Sequence, residues 1–245
     1  MSQTSTSSQA RRTFIAALIG SAIVCVSLMV FAHSAFAAGS ITLYKNDLTT
    51  SDGRKEVRQI GSKGNCDRGG SSTSFRTELG KKTSECAYRV PVVGRDLVIS
   101  ATARLFESTP AKVAKRTYLA LNLRQSSDGS RYQLAVYPKP GKFQLRKIYP
   151  SGNIKTLDHG NKRNVIGKLG EKNRMSLRAY NGDHGPDGTA RLIAIINGKK
   201  VSVTDDSRGN QLTGQDSSFG IASKAGARGA KGSFIDLSVG IPNPF

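Results

Sequence analysis

The chain has 245 residues, with 37 Lys+Arg against 17 Asp+Glu, a net charge of +20, 26 Gly and no Trp. That length holds one large β domain or two small ones. Abundant Gly, few acidic residues and many short alternating runs argue against a helical protein, and no catalytic motif stands out.

The N-terminus reads as a targeting segment. Residues 1 to 10 are polar, Arg11 and Arg12 follow, and an apolar run extends from Phe14 to Ala32. Ala35-Phe36-Ala37 is a small-x-small pattern, which predicts cleavage before Ala38. A run of about 20 apolar residues also suffices to span a bilayer, so the alternative is an uncleaved anchor through residues 14–32. The string RRTFIA resembles the twin-arginine export signal, with a more hydrophobic run than that route uses. Either way the positive residues stay inside and the rest is exported, to the cell envelope or the medium. Without the two leader arginines, residues 38–245 carry 35 basic and 17 acidic side chains, a net +18 over 208 residues. Such a charge attracts polyanions, and equally keeps an exported protein soluble.

The rest is predicted to be one domain of short strands. Ile41 to Tyr44 opens it. Asp47 to Lys55 is polar, with Asp52-Gly53 as a turn signal. Glu56 to Ile60 pairs briefly, and Ser62 to Thr73, rich in Gly and Ser, is a loop. Ser74 to Leu79 alternates, and Ala87 to Val92 is extended. Arg95 to Phe106 is the longest clear strand, with Leu97, Ile99, Ala101, Ala103 and Leu105 on one face. Glu107 to Lys115 suggests a short helix capped by Thr109, with Pro110 at its first position. In Thr117 to Arg124, Leu119, Leu121 and Leu123 form the apolar face.

Arg131 to Tyr149 reads as an antiparallel hairpin broken by Pro138-Lys139-Pro140-Gly141. Tyr132, Leu134, Val136, Phe143 and Leu145 face the core, and Arg131, Gln133, Tyr137, Lys142, Gln144 and Arg146 face outward. Ser151-Gly152-Asn153 is a turn, and Asn161 to Asn173 a basic loop. Arg174 to Tyr180 alternates. Arg191 to Ile196 and Lys199 to Thr204 flank Asn197-Gly198, the strongest short hairpin signal. Ser218 to Ala222 and Ser233 to Val239 are the last strands, and the tail from Ile241 is not a regular one. Roughly a dozen short strands without a long helix mean a sandwich or barrel.

The second half carries a resemblance. The order is YQLAV, KFQLRKI, NRMSLRAY, RLIAIINGKKVSV, a Gly-rich loop, SFGIAS and SFIDLSV. It resembles the concanavalin A-like lectin/glucanase superfamily, particularly laminin-G-like jelly rolls, in the Asn197-Gly198 turn and the closing Phe234-Ile235-Asp236-Leu237 strand. The resemblance covers about residues 95–240. It implies an all-β, two-sheet antiparallel jelly-roll sandwich and an exported, lectin-like carbohydrate-binding function without catalysis. The partner is cell-surface or extracellular polysaccharide, with affinity for anionic polymers. No specific nucleic acid is expected, and membrane contact only through residues 14–32 if uncleaved.

Two cysteines, Cys66 and Cys86, lie in the exported part, where an oxidising compartment predicts a disulfide. The E-x-D-x-x-E string of jelly-roll glycoside hydrolases is absent, since Glu56, Glu78, Glu85, Glu107 and Glu171 lack its spacing. Ser74 to Leu79 (SFRTEL) resembles the R-(S/T)-E-L strand of alginate-lyase-like proteins, but the Q-I-H and Y-F-K-x-G-x-Y strings are missing. A lyase reading takes Arg76, Tyr137 and His159 or His184. A third reading is a structural envelope protein without a small ligand. No cofactor is expected. Asp183, Asp187 and Gly188, or Asp205 with Asp206, are candidate calcium ligands and equally ordinary turn residues. The candidate ligand site is the outward face of the hairpin: Tyr137 for stacking, Gln144 for hydrogen bonds, Lys142 and Arg146 for charge. The same residues also describe a solvated strand face.

Overall fold

The computed structural model describes residues 40–60, 66–80, 83–181, 188–207, 211–223 and 228–242. The expected leader, His184, Asp183 and Asp187 lie outside these residues. Fifteen strands and two short helices are formed among them: β1 (Ser40–Asn46), α1 (Ser51–Glu56), β2 (Arg58–Ile60), β3 (Cys66–Ser71), β4 (Ser74–Leu79), β5 (Glu85–Val93), β6 (Leu97–Leu105), α2 (Ala111–Ala114), β7 (Thr117–Gln125), β8 (Arg131–Tyr137), β9 (Lys142–Ile148), β10 (Ile154–Asn161), β11 (Asn173–Asn181), β12 (Ala190–Ile196), β13 (Lys199–Asp206), β14 (Asp216–Ser223) and β15 (Lys231–Pro242). No helix among the described residues is long and apolar enough to cross a membrane.

The strands form two antiparallel sheets. The first, of eight strands, runs β13-β12-β11-β6-β15-β4-β3, with β1 added on β15. The second, of seven, runs β10-β9-β8-β7-β14-β5-β2. This is an all-β jelly-roll sandwich. Its core is the set of alternating positions read from the sequence: Leu97, Ile99, Ala101, Ala103 and Leu105 of β6 meet Leu119, Leu121 and Leu123 of β7 and Tyr132, Leu134 and Val136 of β8. Rings of Phe75, Tyr88, Phe219 and Phe234 fill one end, with Phe75–Tyr88 centroids 4.7 Å apart edge-on and Phe219–Phe234 4.9 Å apart. The Asn197-Gly198 turn between β12 and β13 has positive φ at both residues, 47° and 80°. That is the primed turn whose twist suits a two-residue hairpin.

Several local expectations are corrected. Asp47 to Lys55 is not all turn: α1 forms within it because the Thr50 hydroxyl accepts from the Gly53 N–H. The segment expected as a loop from Ser62 contains β3, which pairs with β4 through Cys66↔Leu79 and Arg68↔Thr77. Backbone pairing with a neighbour, not its own Gly-rich composition, makes it a strand. Residues 154–161 carried no strand expectation and form β10, an edge strand on β9 with a bulge. Thr109 does not cap α2; its hydroxyl accepts from Lys231 N and the cap position belongs to Pro110. The tail is partly strand after all, since β15 pairs with β1 as far as Ser40↔Pro242. Asp236, at φ 52°, breaks β15, which pairs with β4 before this point and with β1 after it.

The expected disulfide is present, Cys66 to Cys86, with Cα atoms 5.8 Å apart. It ties β3 of the first sheet to β5 of the second. Closing a loop of 20 residues stabilises the fold by about 3 kcal/mol in the chain-entropy account.

Candidate functional site

The site is built on the outward face of the second sheet, where strand register sets three rows of side chains. The middle row crosses all seven strands as His159, Gln144, Ala135, Ala120, Gly220, Ala87 and Ile60. Its centre is Ala and Gly, so the middle of the face is low. Along one side run Thr156, Arg146, Gln133, Asn122, Ser218 and Arg89. Along the other run Lys142 with Tyr137, and Tyr118 with Ala222 and Glu85. Long side chains reach across the low row. Arg146 of β9 stacks on the ring of Tyr118 of β7, two strands away, at 4.5 Å. Arg131 of β8 reaches Glu85 of β5, three strands away, with Nη2 2.6 Å from Oε2.

The tyrosines form a pair, with Tyr118 and Tyr137 ring centroids 5.1 Å apart and tilted by 49°. The Tyr137 hydroxyl donates to Gln144 Oε1 at 3.2 Å and accepts from Arg146 Nη2. Beside them a hydrogen-bonded chain of side chains runs over three strands, β8, β7 and β14. Gln133 Nε2 donates to Asn122 Oδ1 at 2.9 Å, Asn122 Nδ2 to Ser218 Oγ at 2.9 Å, and Ser218 Oγ to Gln125 Oε1 at 2.7 Å. Every bond points the same way, away from Gln133, whose own Oε1 is buried and accepts nothing.

At the hairpin end a cavity of about 620 Å³ opens beside Tyr137. Its lining includes Lys115, Arg116, Lys142, Gln144, His159 and Asn161, and no carboxylate. A second cavity of about 610 Å³ shares Pro140 with it and holds Lys139, Arg163 and Lys168 around one acid, Glu107. Lys115 with Arg116, and Arg163 with Lys168 of the basic loop, thus border neighbouring cavities.

Three of the four predicted ligand residues, Tyr137, Lys142 and Gln144, line one cavity. The fourth, Arg146, does not line it. Arg146 faces outward as the alternation requires but is not a solvated charge; it is 1 % exposed, wedged against the two tyrosines. Arg131 and Gln133, read as an ordinary polar strand face, are drawn into the same network. The residues that sequence reasoning missed are Tyr118, Asn122 and Glu85. The signal was the outward phase of Tyr118 and Asn122 in TYLALNLR, which the leucine face overshadowed.

The lyase set is not brought together. Arg76 lies on β4 of the first sheet, over the Phe106 ring at 5.7 Å, in a separate cavity with Glu78 and Lys231. Tyr137 and His159 lie on the second sheet, so Arg76 and Tyr137 cannot act on one bond. Asp206 is withdrawn as a calcium ligand, since its carboxylate is spent inside the sandwich on Lys147 and Tyr132. Among the described residues no group of three or more His, Cys, Asp or Glu gathers for a metal.

Burial raises the phenol pKa of Tyr137 to about 12, partly opposed by the Arg146 charge. Tyr44 is likewise pushed up to about 12, and Tyr88, Tyr118 and Tyr132 are raised, each chiefly by burial. A raised folded pKa favours the neutral phenol. Its contribution to stability is complete below the unfolded value near 10 and is lost as pH climbs through the folded value. Thermal unfolding followed by circular dichroism should therefore show a melting temperature that is flat up to about pH 9 and falls steeply between about pH 10 and 12. A flat profile through that window would contradict the burial of these hydroxyls.

No known protein-family model matches the sequence, and no curated protein matches it. Solved structures do. Carbohydrate binding module CBM66 from Bacillus subtilis superposes with a TM-score of 0.54 at 12 % identity, over 76 % of this chain and 95 % of that one. The Bacillus licheniformis beta-glucanase gives 0.56 at 7 % identity, over 82 % and 97 %. The Emp46p carbohydrate recognition domain gives 0.57 at 10 % identity, over 82 % and 97 %. These likenesses establish the fold as a two-sheet jelly-roll sandwich, in agreement with the fold that the resemblance in the sequence implies.

Proposed function

We propose that the chain is an exported, non-catalytic glycan-binding domain of the cell surface, and that it takes polysaccharide along the outward face of the second sheet. The observation that carries this reading is the face itself. A low row of Ala and Gly runs between a tyrosine pair and an amide chain, and ends in an open cavity with Gln144, Asn161 and basic side chains. An aromatic platform beside planar hydrogen-bonding groups matches a sugar ring, which has apolar faces and a polar rim. The net charge of +18 on residues 38–245 supports attraction to acidic polymers. The disulfide suits an oxidising compartment. Two of the similar structures, CBM66 and the Emp46p domain, are by name carbohydrate-binding.

Retention of the purified protein on immobilised cell-wall polysaccharide tests the reading. Lys142→Ala and Gln144→Ala together should weaken retention at least tenfold and leave the melting temperature unchanged, because both side chains border the cavity rather than the core. Unchanged retention would mean that this face is merely solvated. A catalytic version retains only Tyr137 and His159, which line one cavity. It predicts rising ultraviolet absorbance from new unsaturated ends on polyuronates; no rise leaves a binding domain.

A further inference from the structure

Apart from Arg146, the buried and nearly buried cations among the described residues are matched to acids. Arg124 Nη2 lies 2.9 Å from Asp96, Lys147 Nζ 2.6 Å from Asp206, and Arg131 Nη2 2.6 Å from Glu85. Arg146 is the exception on the outward face of the second sheet. It is 1 % exposed, and no described carboxylate lies within ion-pair distance. Its guanidinium rests on the Tyr118 and Tyr137 rings, and its Nη2 donates to the Tyr137 hydroxyl. The Nε is buried and donates to nothing. Burial holds both phenols neutral at physiological pH, so neither serves as the counter-anion. Cation–π contact offsets part of the cost of burying such a charge and leaves its net charge in place.

Directly opposite Arg146 in the β8–β9 register stands Gln133, fully buried, with its Oε1 unpartnered. Gln133 Nε2 is committed to Asn122, so the open atom is an acceptor. An unmatched cationic donor and an unmatched neutral acceptor therefore sit side by side. A bare anion satisfies only the first. A group that carries a carboxylate and a neighbouring hydroxyl satisfies both, and an acidic sugar is such a group.

We infer that Arg146 and Gln133 form a subsite for an acidic sugar, with Arg146 pairing the carboxylate of a uronic acid and Gln133 Oε1 accepting from its hydroxyl. The approach is the cavity beside Tyr137, whose basic lining draws in the acid and holds no carboxylate; Arg146 and Gln133 do not line it, and Arg146 meets it through the Tyr137 ring. This inference rests on the glycan-binding reading of the same face.

The test is calorimetric titration of the purified protein with oligogalacturonate, oligoglucuronate and oligomannuronate, each beside its methyl ester, and with a sulfated neutral oligosaccharide. At least one acid should bind tenfold or more tightly than its ester. That preference should survive about 0.5 M salt, because a buried pair is poorly screened while the rim lysines are not. Arg146→Met, which keeps an unbranched apolar stem but not the charge, should abolish the preference. Arg146→Lys should restore part of it, with melting temperatures reported for both. Equal binding of acid and ester, a preference that survives in Arg146→Met, or binding of the sulfated sugar alone would overturn the carboxylate assignment and leave glycan binding standing. Binding of no oligosaccharide, charged or neutral, would overturn both.

Discussion

Asp206→Asn should destabilise the domain by about 3–5 kcal/mol, the usual cost of breaking a buried ion pair from one side. The Asp206 carboxylate lies inside the sandwich, with Lys147 Nζ at 2.6 Å and the Tyr132 hydroxyl at 2.7 Å. Both side chains of the ion pair are 2 % exposed. Lys147 belongs to β9 and Asp206 to β13, so the pair joins the two sheets near the end where both strands are outermost but one or outermost. Next to it Arg124 donates to Asp96, Asn181 and the Leu212 carbonyl, and Leu212 N donates to the Tyr132 hydroxyl. A neutral amide at position 206 leaves the Lys147 ammonium without its anion. It also offers Tyr132 a weaker acceptor. The paired replacement Lys147→Met with Asp206→Leu should recover most of the loss, since removing both charges removes the desolvation cost as well. Urea unfolding of the single and double variants checks this. A single variant within about 0.5 kcal/mol of the parent would mean that water reaches the pair.

Gly220→Ala should cost about 3 kcal/mol or more, while Gly69→Ala should change stability by less than about 0.5 kcal/mol. Gly220 is in β14, between Ala87 of β5 and Ala120 of β7. A Cβ there would lie 1.9 Å from the Cys86 carbonyl oxygen and 2.9 Å from the Ala87 Cα. Both are backbone atoms of a paired strand, so neither yields without opening the β5–β14 ladder. Gly69, on edge strand β3, has nothing within 4 Å of the same position. The contrast isolates close approach from the general loss of Gly flexibility, which both share. Guanidinium unfolding of the two variants reads it directly, and equal effects would show that the β5–β14 approach is not tight. Because Gly220 also belongs to the low row of the candidate groove, the same approach of backbone keeps the groove floor free of side chains.

The fold was largely legible because alternation is a direct record of burial on one side of a strand. Arg95 to Phe106, Thr117 to Arg124 and Arg131 to Tyr149 all placed their apolar phase in the core as read. Strands without that record were missed. β3 has the sequence CDRGGS and β10 has IKTLDHGN, and both are edges held by one neighbour. Their pairing partners, rather than their own side chains, make them strands. The site was half legible for a related reason. Alternation says that Tyr137, Gln144 and Arg146 point outward, and they do. It does not say what else points the same way from β7 and β14, because those neighbours are set by strand order.

The sequence by itself determined the class of fold, the faces of the main strands, the Asn197-Gly198 turn and the disulfide partners, because each is a matter of local periodicity, turn chemistry or elimination between two cysteines. Tertiary structure decided which charges are buried. Lys147 occupies an inward position and Arg146 an outward one, two neighbouring residues of KFQLRKI that look alike as solvated cations. One is neutralised by Asp206, 59 residues later in the chain, and the other meets only tyrosine rings. The energy of a charge depends on the partners the fold brings to it, and those partners come from strands that are distant in sequence and adjacent only in the folded sheets.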